Sequence, residues 1–122
     1  MLSLKNGNRI GKAYERAGCI PWQQAGVAAY RNGQTAGPGK REGGVADIFL
    51  GINKLWPELT KTEALNVFKK LEQAKADAGD ERIPFVQHKR NHQPAVVHLY
   101  LEDFIEMAVA AYGIDSKHKP KL

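Results

Sequence analysis

Apolar side chains that recur every three or four residues predict three helices, over residues 8–17, 60–78 and 104–112. Gly18 and Pro21 are expected to interrupt the first of them, because both residue types are poor helix formers. A short helical turn is expected to begin at the proline, since its missing N–H is not needed in a first turn.

The end signals of the second and third helices are more specific. Thr60 followed by Glu63 has the spacing of a capping box, so the second helix is predicted to begin at Thr60. Gly79 and Gly113 are predicted to end the second and the third helix. The buried face of the second helix is expected to comprise Leu65, Phe68, Leu71 and Ala74.

Short apolar runs predict strands over residues 27–30, 45–50, 54–59, 83–88 and 95–101. The last two strands are expected to form a hairpin. The run 45–50 is apolar almost throughout, apart from Asp47, which is typical of a strand covered on both faces. A glycine-rich loop over residues 31–44 precedes it. This order of elements predicts an α/β domain in which a mixed sheet is flanked by helices.

Length and composition restrict the class of protein. With 122 residues, the chain is expected to form a single domain over residues 1–113, followed by a basic tail over residues 114–122. Cys19 is the only cysteine, which excludes an intrachain disulfide. No apolar run is long enough to cross a membrane and the N-terminal residues soon turn polar, so a cytoplasmic, intracellular protein is expected.

The net charge of +5 favours polyanionic partners, above all nucleic acid. Five basic residues are expected to contact DNA phosphates, namely Arg31, Lys40, Arg41, Lys89 and Arg90. For each of them alone, a solvated surface charge is the alternative. The stretch GPGKREGG lacks the spacing and the Ser or Thr of a nucleotide-binding P-loop, which argues against nucleotide hydrolysis.

Three acidic residues stand at the ends of predicted elements or inside apolar runs. Glu15 is in the first helix, Asp47 in an apolar strand and Glu58 near the end of the next strand. If they converge, their carboxylates can hold a hard divalent cation together with water and substrate phosphate. The alternative is that Glu15 and Glu58 are solvated and that Asp47 pairs with an arginine.

Several motifs along the chain form a recognisable series. The segment GKAYER, residues 11–16, has the form G-x-x-x-E-R; VADIFL, residues 45–50, is an apolar strand with an aspartate; and WPELT, residues 56–60, follows it. The segment ALNVFKKLEQAKADAG comes next, and IPFVQHKRN and VVHLYLEDF close the series. In this order the motifs resemble the PD-(D/E)XK nuclease superfamily, in particular archaeal Holliday-junction resolvases and similar small phage endonucleases.

The resemblance implies a restriction-endonuclease-like fold, with a mixed central sheet flanked by helices, and hydrolysis of DNA phosphodiester bonds. It implies that Glu15, Asp47 and Glu58 bind Mg²⁺ or Mn²⁺ and that the ion activates a water molecule. It also implies DNA partners such as four-way junctions and a homodimer, because a two-fold symmetric junction calls for two active sites. A phage-encoded protein in a bacterial host would fit.

One position departs from the family's motif. The motif lysine, two residues after the second acid, corresponds to Thr60. Lys61 would face away from the site if the strand continued, but a backbone turn at Thr60 would let it reach inward. Lys61 is therefore predicted as a catalytic residue, with Lys89 as the alternative. A site without any lysine would instead make the chain a weakened or inactive nuclease-fold module that binds DNA or a protein.

Overall fold

The computed structural model describes residues 4–32, 40–41 and 44–115 of the chain. Within these residues it contains three helices and seven strands. In chain order they are α1 (Leu4–Gln24), β1 (Ala29–Arg31), β2 (Lys40–Arg41), β3 (Gly44–Val45), β4 (Ile48–Leu50), β5 (Leu55–Lys61), α2 (Val67–Ala78), β6 (Ile83–Lys89), β7 (Val96–His98) and α3 (Leu101–Tyr112). The predicted α/β class is confirmed.

The largest sheet formed by the described strands is mixed and has the order β5–β6–β7. β5 and β6 run parallel, from Leu55 opposite Ile83 to Lys61 opposite Lys89. β7 pairs antiparallel with β6, which confirms the predicted hairpin. β1 with β4, and β2 with β3, form two further antiparallel pairs. β2 and the first residue of β3 lie inside the glycine-rich loop predicted over residues 31–44.

Different helices cover the two faces of the mixed sheet. Alternate residues of β5 point to opposite faces. Leu59 belongs to a buried cluster with Tyr14 and Cys19 of α1, whereas Trp56 is buried with Ala78 of α2. The sheet therefore lies between α1 and α2, and only the last residues of β5 are open to solvent.

α1 is one continuous helix, so the interruptions predicted at Gly18 and Pro21 are wrong. Gly18 lies where the helix meets the sheet, and a Cβ there would be 2.7 Å from Leu59 Cδ2 and 2.9 Å from Gln87 Nε2. The glycine thus permits close packing instead of stopping the helix. Pro21 lies in the last turn, where little helix follows it. Gly26, two residues after the end of α1, has a φ of +88°, a value that favours glycine.

α2 begins at Val67, so the capping box predicted at Thr60 is wrong. Thr60 belongs to β5, which continues to Lys61 because its pairing with β6 extends that far. The helix is capped instead by Asn66, whose side chain accepts a hydrogen bond from the backbone N of Lys69 at 3.1 Å. Long-range strand pairing has overridden a local capping signal.

The buried face of α2 also differs from the prediction. It consists of Leu71, Ala74 and Ala78, whereas Phe68 is 77% exposed. The later start of the helix removes Leu65 from it altogether. Lys70 lies next to the sheet on this face, because it is four residues before the buried Ala74. Residues three or four apart share one side of a helix.

The apolar run 45–50 does not form one strand as predicted. β3 ends at Val45 and β4 begins at Ile48, so Asp47 lies in a bend between the two. Residues 33–39 and 42–43 of the predicted loop, and residues 116–122 of the predicted tail, lie outside the described residues.

Gly79 and Gly113 end α2 and α3 as predicted, with φ values of +77° and +74°. α3 begins at Leu101, which shortens the strand predicted over residues 95–101 to β7. The buried face expected of an amphipathic helix is missing, since no residue of α3 is buried. None of the helices in the described part of the chain has the length and apolar character needed to cross a membrane.

We expect Gly18→Ala to destabilise the protein by about 1–2 kcal/mol, because its methyl group would displace buried side chains that are already in place. Leu59 is only 7% exposed, and Gln87 Nε2 donates to Gly18 O at 3.0 Å. Urea unfolding measures the effect.

Gly11→Ala is the matched control, since it lies on the same helix and an added Cβ meets no atom within 4 Å. It should leave stability unchanged or raise it by up to about 1 kcal/mol. An unchanged unfolding midpoint for Gly18→Ala would contradict the close approach of α1 to the sheet.

Candidate functional site

Two carboxyl groups meet at the edge of β5 that faces away from β6. Asp47, in the bend before β4, and Glu58, in the middle of β5, hydrogen-bond to each other. Asp47 Oδ2 also accepts a hydrogen bond from the backbone N of Leu59 at 2.9 Å. Because Glu58 is only 8% exposed, the pair is largely withdrawn from water.

The position of β5 in the sheet explains why Leu59 has a free backbone donor. Among the strands that the structure describes, β5 pairs on one side only, with β6. Backbone N–H groups two residues apart point to the same side of a strand. Residues 57 and 59 thus both face the unpaired side, where Pro57 removes no ladder hydrogen bond. The N–H of Leu59 remains available for Asp47.

A lysine from α2 partly balances the charge of these two acids. Lys70 Nζ is 3.2 Å from Glu58 Oε1, and the lysine charge also lowers the pKa of Asp47. The Lys70 side chain is 28% exposed, so it borders both the acids and solvent. We refer to Asp47, Glu58 and Lys70 as the acid–lysine cluster.

The two acids of this cluster hold their protons more tightly than ordinary carboxyl groups. Burial and, second, the charge of Asp47 raise the pKa of Glu58 to about 7, although Lys70 acts in the opposite direction. Burial also raises the pKa of Asp47, against the hydrogen bond from the Leu59 backbone. Their mutual hydrogen bond raises the pKa of Glu58 and lowers that of Asp47, so Glu58 is the partner that donates when a proton is bound.

Glu15 lies near the two acids without joining them. Burial raises its pKa, and the charge of Asp47 raises it further. Its Oε1 forms an ion pair with Arg31 Nε at 3.6 Å, which engages one of the predicted DNA contacts. In the part of the chain that the structure describes, no three His, Cys, Asp or Glu side chains are grouped closely enough to hold one metal ion. The structure thus brings Asp47 and Glu58 together and leaves Glu15 outside their immediate reach.

Lys61, the lysine predicted for the site, faces the other side of the sheet. β5 continues through Lys61 without a turn at Thr60, and residues three apart in a strand point to opposite faces. Lys61 lines a cavity of about 200 Å³ with residues of α1, among them Tyr14. It does not reach Glu58.

Other predicted DNA contacts are engaged within the chain. Lys89 Nζ donates to backbone carbonyl groups in the turn between β6 and β7, which also removes it as a substitute for the motif lysine. Arg90 Nε is 3.4 Å from Glu63 Oε2, although both side chains remain more than half exposed. Lys40 and Arg41 form β2, but their side chains lie outside the described part of the chain.

Lys70 is the site residue that the sequence analysis missed. The helix predicted from Thr60 has Phe68 on its buried face. Lys70, two residues later, would then point away from the core. Asn66 was the signal that could have corrected this prediction, because asparagine is a preferred N-cap residue. A helix that begins after Asn66 buries Leu71 and Ala74, which places Lys70 beside the sheet.

The donor set of the acid–lysine cluster fits a hard divalent cation. Mg²⁺ is usually held by one or two carboxylates, with water and substrate phosphate completing its coordination. Asp47 and Glu58 supply two carboxyl groups for such an ion, and a bound cation would replace the proton that the raised pKa of Glu58 favours. Lys70 would then be available to an anionic oxygen.

Searches of protein-family models, curated proteins and solved structures find no match to this chain. The geometry of the acid–lysine cluster is therefore the main basis for assigning a function.

The raised pKa of Glu58 predicts that the metal-free protein loses stability as the pH rises. The folded state binds this proton more tightly than the unfolded state, so the contribution is complete below about pH 4.5 and is lost as the pH passes through about 7. Between about pH 5 and about pH 8, the free energy of unfolding of the wild-type protein should fall by about 1–3 kcal/mol because of Glu58. Glu58→Gln resembles the protonated side chain and should not show this decrease.

Urea unfolding in EDTA at both pH values measures this difference. Glu72→Gln is the control, because Glu72 is an exposed glutamate on α2 and its loss removes the same charge. The control should keep the wild-type pH dependence. If Glu58→Gln keeps it as well, Glu58 is not the group that titrates.

Proposed function

We propose that this protein is a metal-dependent endonuclease that hydrolyses DNA phosphodiester bonds, with Mg²⁺ or Mn²⁺ as its cofactor. The observation that carries the proposal is the acid–lysine cluster, in which two carboxyl groups and a lysine from separate parts of the chain meet at one edge of β5. A restriction-endonuclease-like arrangement of the sheet and its helices belongs to the proposal. A preference for four-way junctions follows from the order of the motifs, which resembles that of junction resolvases.

Each group in the cluster has a task that suits this reaction. A bound divalent cation would supply Lewis-acid stabilisation of the phosphate and an acidified water molecule. Asp47 and Glu58 are the residues that would hold it. The Leu59 N–H fixes the orientation of Asp47, since a backbone donor in a paired strand cannot rotate away.

Lys70 supplies the positive charge that Thr60 cannot. Residue 60 is two positions from Glu58 and faces the same side of β5, and Lys70 reaches that side from α2. An ammonium group there can orient the attacking water and offset the charge that develops on the phosphate oxygens. The lysine of the family's motif would thus be replaced from a different element.

The second candidate function is a nuclease-fold module that binds DNA or a protein without cutting. Thr60 favours this function, and so does the ion pair of Lys70 with Glu58, because a lysine held by a carboxylate is less available to phosphate. The two functions differ in whether the protein cleaves DNA in the presence of a divalent cation.

We expect the protein to nick a four-way junction faster than a plain duplex when Mg²⁺ or Mn²⁺ is present. Asp47→Asn and Glu58→Gln should lower the nicking rate at least about 100-fold, because each removes stabilisation of the transition state. Lys70→Met should lower it about 10- to 100-fold for the same reason. Gel electrophoresis of end-labelled junctions measures the rates.

Lys61→Met is the matched control for Lys70→Met, since Lys61 lies on the opposite face of β5, and it should retain most of the activity. Loss of nicking in Lys61→Met together with full activity in Lys70→Met would reverse the assignment of the lysine. Junction binding without cleavage in the wild-type protein, with either ion, would support the second candidate function instead.

Mg²⁺ should also raise the Tm of the wild-type protein at about pH 8 by about 2–5 °C, because an ion that binds only the folded state stabilises it. EDTA should reverse the shift, and Asp47→Asn and Glu58→Gln should lose most of it. Differential scanning fluorimetry provides the measurement. Glu63→Gln, which removes an exposed carboxylate that pairs with Arg90, is the control and should keep the shift. A full shift in Glu58→Gln would place the ion elsewhere.

A further inference from the structure

Two histidine side chains meet on the face of the mixed sheet that carries Glu58. His98 in β7 lies directly opposite Val86 in β6, which in turn lies opposite Glu58, and His88 is two residues further along β6. Residues two apart in a strand point to the same face, so the two histidine rings come together diagonally across the hairpin. His88 is only 7% exposed, and His98 is half-buried. The pair belongs neither to the acid–lysine cluster nor to the predicted DNA contacts.

The hydrogen bonds of the pair determine which ring nitrogens carry protons. His88 Nε2 is 2.8 Å from the backbone carbonyl oxygen of Thr62. A carbonyl oxygen only accepts, so Nε2 carries a proton and, in the neutral ring, Nδ1 has an available lone pair. This Nδ1 faces His98 Nε2 at a distance of 3.3 Å. When no metal ion is bound, His98 Nε2 therefore donates to His88 Nδ1.

The arrangement of the two rings matches a pair of zinc ligands. Two nitrogen ligands at the tetrahedral angle, each about 2.0–2.1 Å from zinc, are roughly 3.3–3.4 Å apart, and the two facing histidine nitrogens are 3.3 Å apart. The ring centroids are 5.5 Å apart, so the rings meet through these nitrogens and do not stack. A histidine ligand usually donates its other ring N–H to a carbonyl or carboxylate group, as His88 does to Thr62. His88 is thus already oriented as a ligand.

The donor atoms of the pair favour a different class of cation from the acid–lysine cluster. Imidazole nitrogen suits Zn²⁺, Cu²⁺ and Ni²⁺, whereas Mg²⁺ prefers oxygen ligands. Burial and, second, the charge of His88 lower the pKa of His98, so near neutral pH its ring is in the uncharged form that binds a metal. Glu58 and His98 lie two strands apart, which places their backbones roughly 10 Å from each other. The two sites are therefore separate.

A cavity beside the pair leaves room for the remaining ligands of an ion. It has a volume of about 340 Å³ and is lined by both histidines together with Arg90, Gln93 and Val96. Within the described residues no third His, Cys, Asp or Glu side chain joins the pair, so water or a small anion would complete the coordination. The charge of Arg90 is partly balanced by Glu63. An ion held by two histidines thus has open coordination positions that face solvent.

We propose that His88 and His98 bind a transition-metal ion, with Zn²⁺ as the best fit, and that this ion holds β7 against β6. On binding, the proton of His98 Nε2 is replaced by one on Nδ1, so that both facing nitrogens direct lone pairs at the ion. β7 has only three residues and is an edge strand among those described, and α3 follows it without burying any residue. A metal bridge between the two strands would stabilise β7 and the start of α3.

Differential scanning fluorimetry of the full chain with added Zn²⁺ tests the site. At a Zn²⁺ concentration about ten times the dissociation constant, the Tm of the wild-type protein should rise by about 3–6 °C. His98→Asn should lose most of this rise, because one of the two protein ligands is gone. His92→Asn is the matched control, since His92 is an exposed histidine of the same hairpin whose φ of +62° asparagine tolerates. His92→Asn and Glu58→Gln should both keep the rise.

Nitrogen-15 NMR of the histidine rings tests the site in the wild-type protein, so a variant that fails to fold does not decide the outcome. Zn²⁺ should shift the signals of His88 Nδ1 and His98 Nε2 and leave those of His92 in place. Unchanged ring signals of His88 and His98 would overturn the proposal. Equal Tm rises in the wild-type protein and a folded His98→Asn would also overturn it, as would loss of the rise in His92→Asn or Glu58→Gln. None of these measurements depends on whether the protein cuts DNA.

Discussion

The parallel pairing of β5 with β6 determines which way each side chain of β5 faces. In the observed register Leu59 contributes to the apolar cluster with α1, and Glu58 meets Lys70 on the side of α2. A shift of one residue would exchange the two faces, so that Glu58 would enter the apolar cluster and Leu59 would face a lysine. Burial of apolar side chains on both faces therefore holds the register and, with it, the position of the acid–lysine cluster.

The acid pair depends on the unpaired edge of β5. There the Leu59 N–H binds Asp47, and Pro57 lacks the donor that a further strand would need. Two carboxyl groups withdrawn from water are costly, which is why the pKa of each is raised. Lys70 and the backbone donor offset part of this cost. The divalent cation that we propose would offset more of it, because its charge is opposite to that of both carboxylates.

Charge is distributed unevenly over the molecule. Lys89 binds a backbone carbonyl group in the turn between β6 and β7, and Arg90 pairs with Glu63. Lys70 pairs with Glu58 of the acid pair. The first turn of α3 is acidic, and most of the large apolar side chains of this helix are exposed. The acid–lysine cluster is thus built by α2, β5 and the bend before β4, whereas many of the exposed apolar side chains belong to α3.

Local patterns predicted most of the elements, because helical periodicity and the positive φ at Gly79 and Gly113 are properties of short segments. They also singled out Asp47, since an acid inside an apolar run is visible locally. Only the tertiary structure decided that β5 continues through Thr60, because its pairing with β6 outweighs a capping box. Because β5 extends to Lys61, α2 begins only at Val67, and Lys70 then lies beside Glu58. The extension also turned Lys61 to the other face, since adjacent residues of a strand point in opposite directions.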